Sequence, residues 1–273
     1  MSGLQDAQNA SSGTQLRVFL SASGKDGSPV GIEASQLKVS VDKQAVQVAD
    51  VQPAKDEPLL FAVLVDVSKS DAGGADELKR AVFQVFQSLS GGERKGYLVV
   101  FNDLVAVSRA PVQAQDVQKM LDGVKFEGGT AVYDAVDRIC TQELSRAQNP
   151  TVPRRAIVLI SDGEDNASHI TQVRAEEIVQ EQGVSVFSLQ TLSSLAGPRG
   201  EQFLKDLSHN AGGQYTSGKD IVEAVGPLVG AINGQWVLSL APLQNRGNGL
   251  HSLTVKTSQK NVRLSAPAHI LVQ

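Results

Sequence analysis

Leu59-Leu60-Phe61-Ala62-Val63-Leu64-Val65-Asp66-Val67-Ser68-Lys69-Ser70 is the stretch that decides the fold. An apolar run without alternation stops here at an aspartate. Such a run, bounded by a turn, suits a strand buried on both faces, as strands of a parallel sheet are. Tyr97-Leu98-Val99-Val100-Phe101 and Ala156-Ile157-Val158-Leu159-Ile160 have the same character, and Val184 to Leu189 is a shorter run. Between them, apolar residues recur at helical spacing. Leu78, Val82, Val85 and Leu89 do so within 77–89. Val132, Ala135, Val136, Ile139 and Leu144 do so within 131–144, and Val173, Ile178 and Val179 within 171–182. Strands alternating with helices predict an α/β unit over residues 56–233: a doubly wound, mostly parallel sheet flanked by helices. Its crossovers are expected to be right-handed.

On either side the period changes to two. Leu16, Val18 and Leu20 alternate, then Leu37, Val39 and Val41, then Val46, Val48 and Val51. Strand-like runs return at 236–240, 250–256, 262–264 and 269–272, with turn signals at Asp42-Lys43 and at 245–249. These read as half-buried strands. Neither flank has enough strands to close a core by itself. Residues 16–55 and 234–273 are therefore expected to pair into one small β-sandwich, with the α/β unit inserted into it. Residues 1–15, rich in Ser, Gln and Gly, read as a disordered tail.

Composition narrows the function. The 273 residues allow one large domain, or a medium one with a small companion. With 41% hydrophobic and 20% charged residues, the chain is neither intrinsically disordered nor a coiled coil. A net charge of −4 argues against nucleic acid as a partner. Cys140 is the lone cysteine, which excludes an internal disulfide and a thiolate zinc site. It falls on the apolar face of a helix pattern and reads as a small buried hydrophobe. No apolar run approaches the ~18 residues of a transmembrane segment. The start lacks the charged and apolar regions of a secretory signal. That leaves a cytoplasmic protein, or an exported one written as its mature form behind Met1.

The chemistry gathers at strand ends. In open α/β sheets, ligands bind outside the carboxyl ends of the strands. Asp66, Ser68 and Ser70 present three oxygens from one turn at such an end, as a hard cation requires. They equally suit a cap on the following helix. Gly128-Gly129-Thr130 offers another hydroxyl, or another cap. Ser161-Asp162-Gly163 places a second carboxylate after a buried strand, or is an ordinary turn. Glu164 and Asp165 beside it read as a second cation site or as a solvated rim. Asp134 suits the positive end of a helix dipole or a supporting role behind the site. His169, His209, His251 and His269 match no metal-binding spacing.

These segments resemble the von Willebrand factor type A (VWA) domain with a metal-ion-dependent adhesion site. The motif Asp-x-Ser-x-Ser, a distant Thr and a distant Asp is matched by Asp66, Ser68, Ser70, Thr130 and Asp162. The stretches 128–135, 159–168 and 211–215 resemble a bacterial, acidobacterial-type subgroup that also carries flanking β segments. Lys69 departs from it, standing where many members have Gly; it either sits beside the metal or points to solvent. The resemblance implies a Rossmann-like VWA fold and a divalent cation, Mg2+ or Mn2+/Ca2+, held by those five residues. It implies a protein partner presenting Asp or Glu to the ion, a last helix at about 220–232 that moves in some members, and export to the periplasm or cell exterior. The rival is a phosphoryl-transfer hydrolase using Asp66 as nucleophile. Such enzymes carry a second Asp two residues on, where this chain has Ser68, and no Walker loop or Gly-x-Ser-x-Gly motif occurs. The expectation is a binding module and not an enzyme. A structural scaffold with a silent metal site is the third reading.

Overall fold

The computed structural model describes residues 16–149, 151, 154–191, 197–243 and 246–272. The tail expected over residues 1–15 lies outside them. The chain opens with four strands: β1 (Leu16–Ser23), β2 (Leu37–Val41), β3 (Gln44–Val46) and β4 (Val48–Pro53). The β2–β3 hairpin turns on Asp42 and Lys43, both at positive φ (45° and 67°). That is the turn whose twist matches the flanking strands.

The α/β unit follows. It comprises β5 (Leu59–Asp66), α1 (Ala75–Leu89), β6 (Arg94–Phe101), β7 (Val105–Val107), α2 (Ala114–Asp122) and α3 (Val132–Thr141). It continues through β8 (Arg154–Ser161), α4 (Gln172–Gln182), β9 (Ser185–Gln190), α5 (Pro198–Asn210), β10 (Gln214–Ser217) and α6 (Ile221–Asn233). The sheet order is β10-β9-β8-β5-β6-β7, parallel except for β7 at one edge. The doubly wound expectation is borne out. β5 is buried along its whole length because it feeds two cores. Phe61, Val63 and Val65 face α1, α2 and α6, whereas Leu60, Ala62 and Leu64 face α3, α4 and α5. Alternate residues of a strand point to opposite faces, so a strand covered on both sides must be apolar throughout. Helix α1 buries Leu78, Ala81, Val82, Val85, Phe86 and Leu89, one stripe at helical spacing. Helix α4 departs from the expected pattern: Val173 is exposed, and Ala175, Ile178 and Val179 form the buried face.

Four strands close the chain: β11 (Trp236–Leu240), β12 (Gly249–Thr257), β13 (Arg263–Ser265) and β14 (His269–Val272). They combine with β1–β4 into two four-stranded sheets, β13-β1-β11-β4 and β14-β12-β2-β3. Val18, Leu20, Leu238 and Leu240 of one sheet share a core with Val39, Val41, Leu253 and Ile270 of the other. This is the small β-sandwich, built from both flanks of the chain.

Arg154 sits where the two units join. Its side chain is fully buried. Nε donates to Gln235 Oε1 (3.1 Å), Nη1 to the Ala54 carbonyl (3.2 Å) and Nη2 to the Ile232 carbonyl. One guanidinium thus holds the strand that enters the sheet, both chain crossings and the end of α6. Ala54 N–H also donates to the Gln235 carbonyl (2.8 Å), bringing the two crossings side by side.

Candidate metal centre

The sheet order reverses between β5 and β8, and the chemistry collects at the carboxyl ends of these two strands. Their register pairs Val65 with Ile160, so Asp66 and Ser161 leave the sheet as neighbours. Ser161 Oγ donates to Asp66 Oδ2 (2.6 Å), and Ser68 N–H donates to Asp66 Oδ1 (3.0 Å). Ser68 Oγ lies 3.0 Å from Ser70 Oγ. Glu127 N–H donates to the Val67 carbonyl (3.0 Å) and Lys69 N–H to the Gly128 carbonyl (3.3 Å). These bonds lay the segment that ends in Thr130 against the Asp66–Ser70 turn. The Asp162 carboxylate accepts from Glu164 N–H (3.0 Å) and has an oxygen within 4.8 Å of oxygens of Asp66 and Asp71. Asp66, Ser68, Thr130 and Asp162 are all buried, and Ser70 is half-buried. Lys69 is exposed.

The capping alternatives are not what the structure contains. Helix α1 starts after Gly74, beyond a short 3-10 turn over Lys69–Gly74, and Ser68 makes no side-chain cap bond to that turn. Helix α3 starts after Ala131, likewise without a side-chain cap from its own N-terminus. The loop after β8 supplies those acceptors instead. Asp165 Oδ2 accepts from Tyr133 N–H (3.2 Å), Ser168 Oγ from Asp134 N–H (3.1 Å), and Asn166 Oδ1 from Thr130 N–H (2.9 Å). Glu164 Oε1 accepts from Gly200 N–H (3.0 Å), in the first turn of α5. Glu164 and Asp165 are thus engaged with helix N-termini and are not arranged as a second cation site. Asp134 stands in the first turn of α3, as expected, and has the supporting role as well. It accepts from the backbone N–H groups of His169 (2.9 Å) and Ile170 (3.1 Å), and so fastens the far end of the same loop.

Gly163 adjoins Asp162 at φ +82°, and a Cβ there would stand 2.4 Å from the Gly200 carbonyl oxygen. Only glycine meets both demands. Gly163→Ala is expected to destabilise the protein by about 1–3 kcal/mol. Gly73→Ala, with open space around it, should change stability by less than about 0.5 kcal/mol. Urea unfolding of the two variants checks this, and equal losses would refute it.

Asp71 is the residue that sequence reading missed. It lies in the 3-10 turn after Ser70 and is buried. Its Oδ2 has no hydrogen-bond partner among the described residues. Burial pushes its carboxyl up to about 7, helped by the nearby charge of Asp66. Burial likewise pushes Asp66 up to about 6, against hydrogen bonds from Ser161 and Ser68 that favour the charged form. An acidic residue directly after a five-residue ligand turn was the available signal.

The donors are all oxygens, carboxylates and hydroxyls, with no histidine or cysteine in the carboxylate group. That set fits Mg2+, Mn2+ or Ca2+ and not zinc or copper. An open crevice lined by His209, Tyr215, Lys219, Asp220 and Arg263 lies elsewhere and contains none of these residues. Among the described residues no helix is long and apolar enough to cross a membrane.

No curated protein matches the chain. Solved structures show the fold. An aerotolerance-related membrane protein from Bacteroides fragilis is 17% identical, with a TM-score of 0.51 over 64% of this chain and 98% of its own. A von Willebrand factor type A protein from Catenulispora acidiphila is 10% identical, with a TM-score of 0.55 over 96% of this chain and 74% of its own. The PilB minor pilin of Streptococcus sanguinis, as its D319A mutant, is 12% identical, with a TM-score of 0.52 over 66% and 62%. Residues 31–213 match the family described as VWA domain containing CoxE-like protein. With most of the chain inside that match and the fold to go with it, the protein belongs to the VWA domain containing CoxE-like family.

Proposed function

We propose that this protein is a metal-dependent protein–protein interaction module. A divalent cation, Mg2+ or Mn2+/Ca2+, is held by Asp66, Ser68, Ser70, Thr130 and Asp162, and a partner presents an Asp or Glu to it. The observation that carries the reading is the buried pairing of Asp66 with Asp162 beside the Ser68–Ser70 hydroxyl pair. Buried carboxylates repel each other and resist leaving water, so such a group calls for a positive charge. When bound, the ion supplies that charge together with a Lewis-acidic face toward solvent. Asp66 and Asp162 neutralise a divalent ion formally. Ser161 and the Ser68 N–H hold the Asp66 carboxylate in one orientation. The loop 164–170, tied to the starts of α3 and α5, holds Thr130 and Asp162 in register with it. The hydrolase reading lacks its second acid, because Ser68 occupies that position.

Calorimetric titration with Mg2+ and Mn2+ tests the proposal. The parent protein is expected to bind one ion, and Asp66→Ala to lose at least a hundredfold in affinity. That follows from removing a charge at contact distance in a partly buried site, worth about 3–4 kcal/mol. Absence of binding by the parent would falsify the metal reading. Partner capture that survives chelation would remove the adhesion-type mechanism and leave the fold intact.

A further inference from the structure

Five residues account for the motif, yet the group of carboxylates contains a third acid that the motif does not include. Asp71 follows Ser70 in the same turn, where its backbone N–H donates to the Ser68 carbonyl (3.2 Å). That bond folds the chain back and aims the side chain at the carboxyl ends of β5 and β8. Its relative exposure is 6%, and Oδ2 has no hydrogen-bond partner among the described residues. Thr191, just after β9, is also 6% exposed; its hydroxyl faces the Asp71 carboxylate and favours its charged form, without reaching hydrogen-bond geometry with Oδ2. Oxygens of Asp66, Asp71 and Asp162 lie within 4.8 Å of one another. A buried polar atom without a partner calls for a specific occupant. Three carboxylates around one point would repel each other without a cation among them.

We propose that Asp71 is a third carboxylate ligand of the cation, supplied from within the chain. This inference rests on the metal-dependent reading above. With Asp66, Asp71 and Asp162 charged, the site carries three formal negative charges. A divalent ion then leaves one uncompensated, so the ion is retained without help from a partner. Asp71 takes a coordination position that would otherwise hold water or a partner's carboxylate. An acidic partner therefore competes with Asp71 for the ion.

Mn2+ alone is the probe, with two readouts on the full chain: calorimetric affinity, and relaxation of water protons per bound Mn2+, which reports the waters on the ion. Asp71→Asn keeps the shape of the side chain, and Asp71→Ser serves as a second variant. Either is expected to bind Mn2+ at least tenfold more weakly than the parent, and to relax water protons more strongly per bound ion, because a water replaces the lost ligand. Affinity within twofold of the parent overturns the proposal while the five-residue site stands. Weaker affinity with unchanged relaxation also overturns it, because charge alone would then explain the loss. No Mn2+ binding by the parent removes both this inference and the reading it rests on.

Discussion

Arg154→Ala is expected to cost about 3–5 kcal/mol of folding stability, from hydrogen bonds with a charged donor at about 1.5–3 kcal/mol each and the cavity left by a large buried side chain. The guanidinium is fully buried, and its donors go to the Ala54 and Ile232 carbonyls and the Gln235 amide. Removing it takes the donor from the buried Gln235 Oε1, leaves the Ala54 and Ile232 carbonyls with one backbone donor each, and opens a cavity at the joint. Arg154→Lys should recover only part of the loss, because an ammonium on a flexible stem cannot reproduce three directed contacts. Trp236, the only tryptophan, stands in β11 of the sandwich with its indole N–H on the Val30 carbonyl (3.1 Å). Its fluorescence follows the sandwich, and far-ultraviolet circular dichroism follows the helices of the α/β unit. In the Ala variant the two urea midpoints are expected to separate, with the tryptophan signal lost first. Coincident midpoints and a loss below about 1 kcal/mol would remove the clamp from the account.

The second large effect is a pH dependence of the metal-free protein. Asp66 at about 6 and Asp71 at about 7 both lie above the 3.8 of an exposed aspartate. Between those limits the folded state binds more protons than the unfolded state. Stability is therefore highest at the acid end of the window and falls as pH rises through 6 and 7. Each unit of displacement is worth about 1.4 kcal/mol, which makes the combined loss on the order of several kcal/mol. Asp42, held at about 2 by His251 and Ser252, titrates below this window and does not offset the trend. Denaturation in chelator from pH 5 to 8 should show the decline, and saturating Mg2+ should remove or reverse it, because the ion takes the place of the protons. A flat profile in chelator would mean that these carboxylates are better solvated than their burial implies.

What the sequence disclosed depended on burial. β5 and the apolar stretches of β6 and β8 were legible because strand segments covered on both faces carry no alternation. The edge strands were not: Val105–Val107 is too short for a period, and Gln214–Ser217 is half-exposed and reads as polar. Helix α5 hides behind Pro198 and Gly200, which look like a loop but suit the first turn of a helix. At the site, the five motif residues were found by order and spacing. Asp71 was not, because an acid after a polar turn ordinarily faces water and only the fold buries it. The acceptors that Asp165, Asn166 and Ser168 offer to 130–134 come from more than thirty positions along the chain, beyond any local capping rule.

The split sandwich also sets an order of folding. Each of its sheets mixes strands from both flanks: β1 lies between β11 and β13, and β2 pairs with β12. During synthesis β1 and β4 emerge long before those partners exist, and the β2–β3 hairpin keeps one edge open. The α/β unit can fold in that interval, because its sheet needs none of them. Once it has, Arg154 and the bond from Ala54 to Gln235 hold the two crossings together. The sandwich then closes across a short gap instead of a long loop. The nascent chain is therefore most exposed to aggregation after the inserted unit is complete and before residues 236–272 have been made.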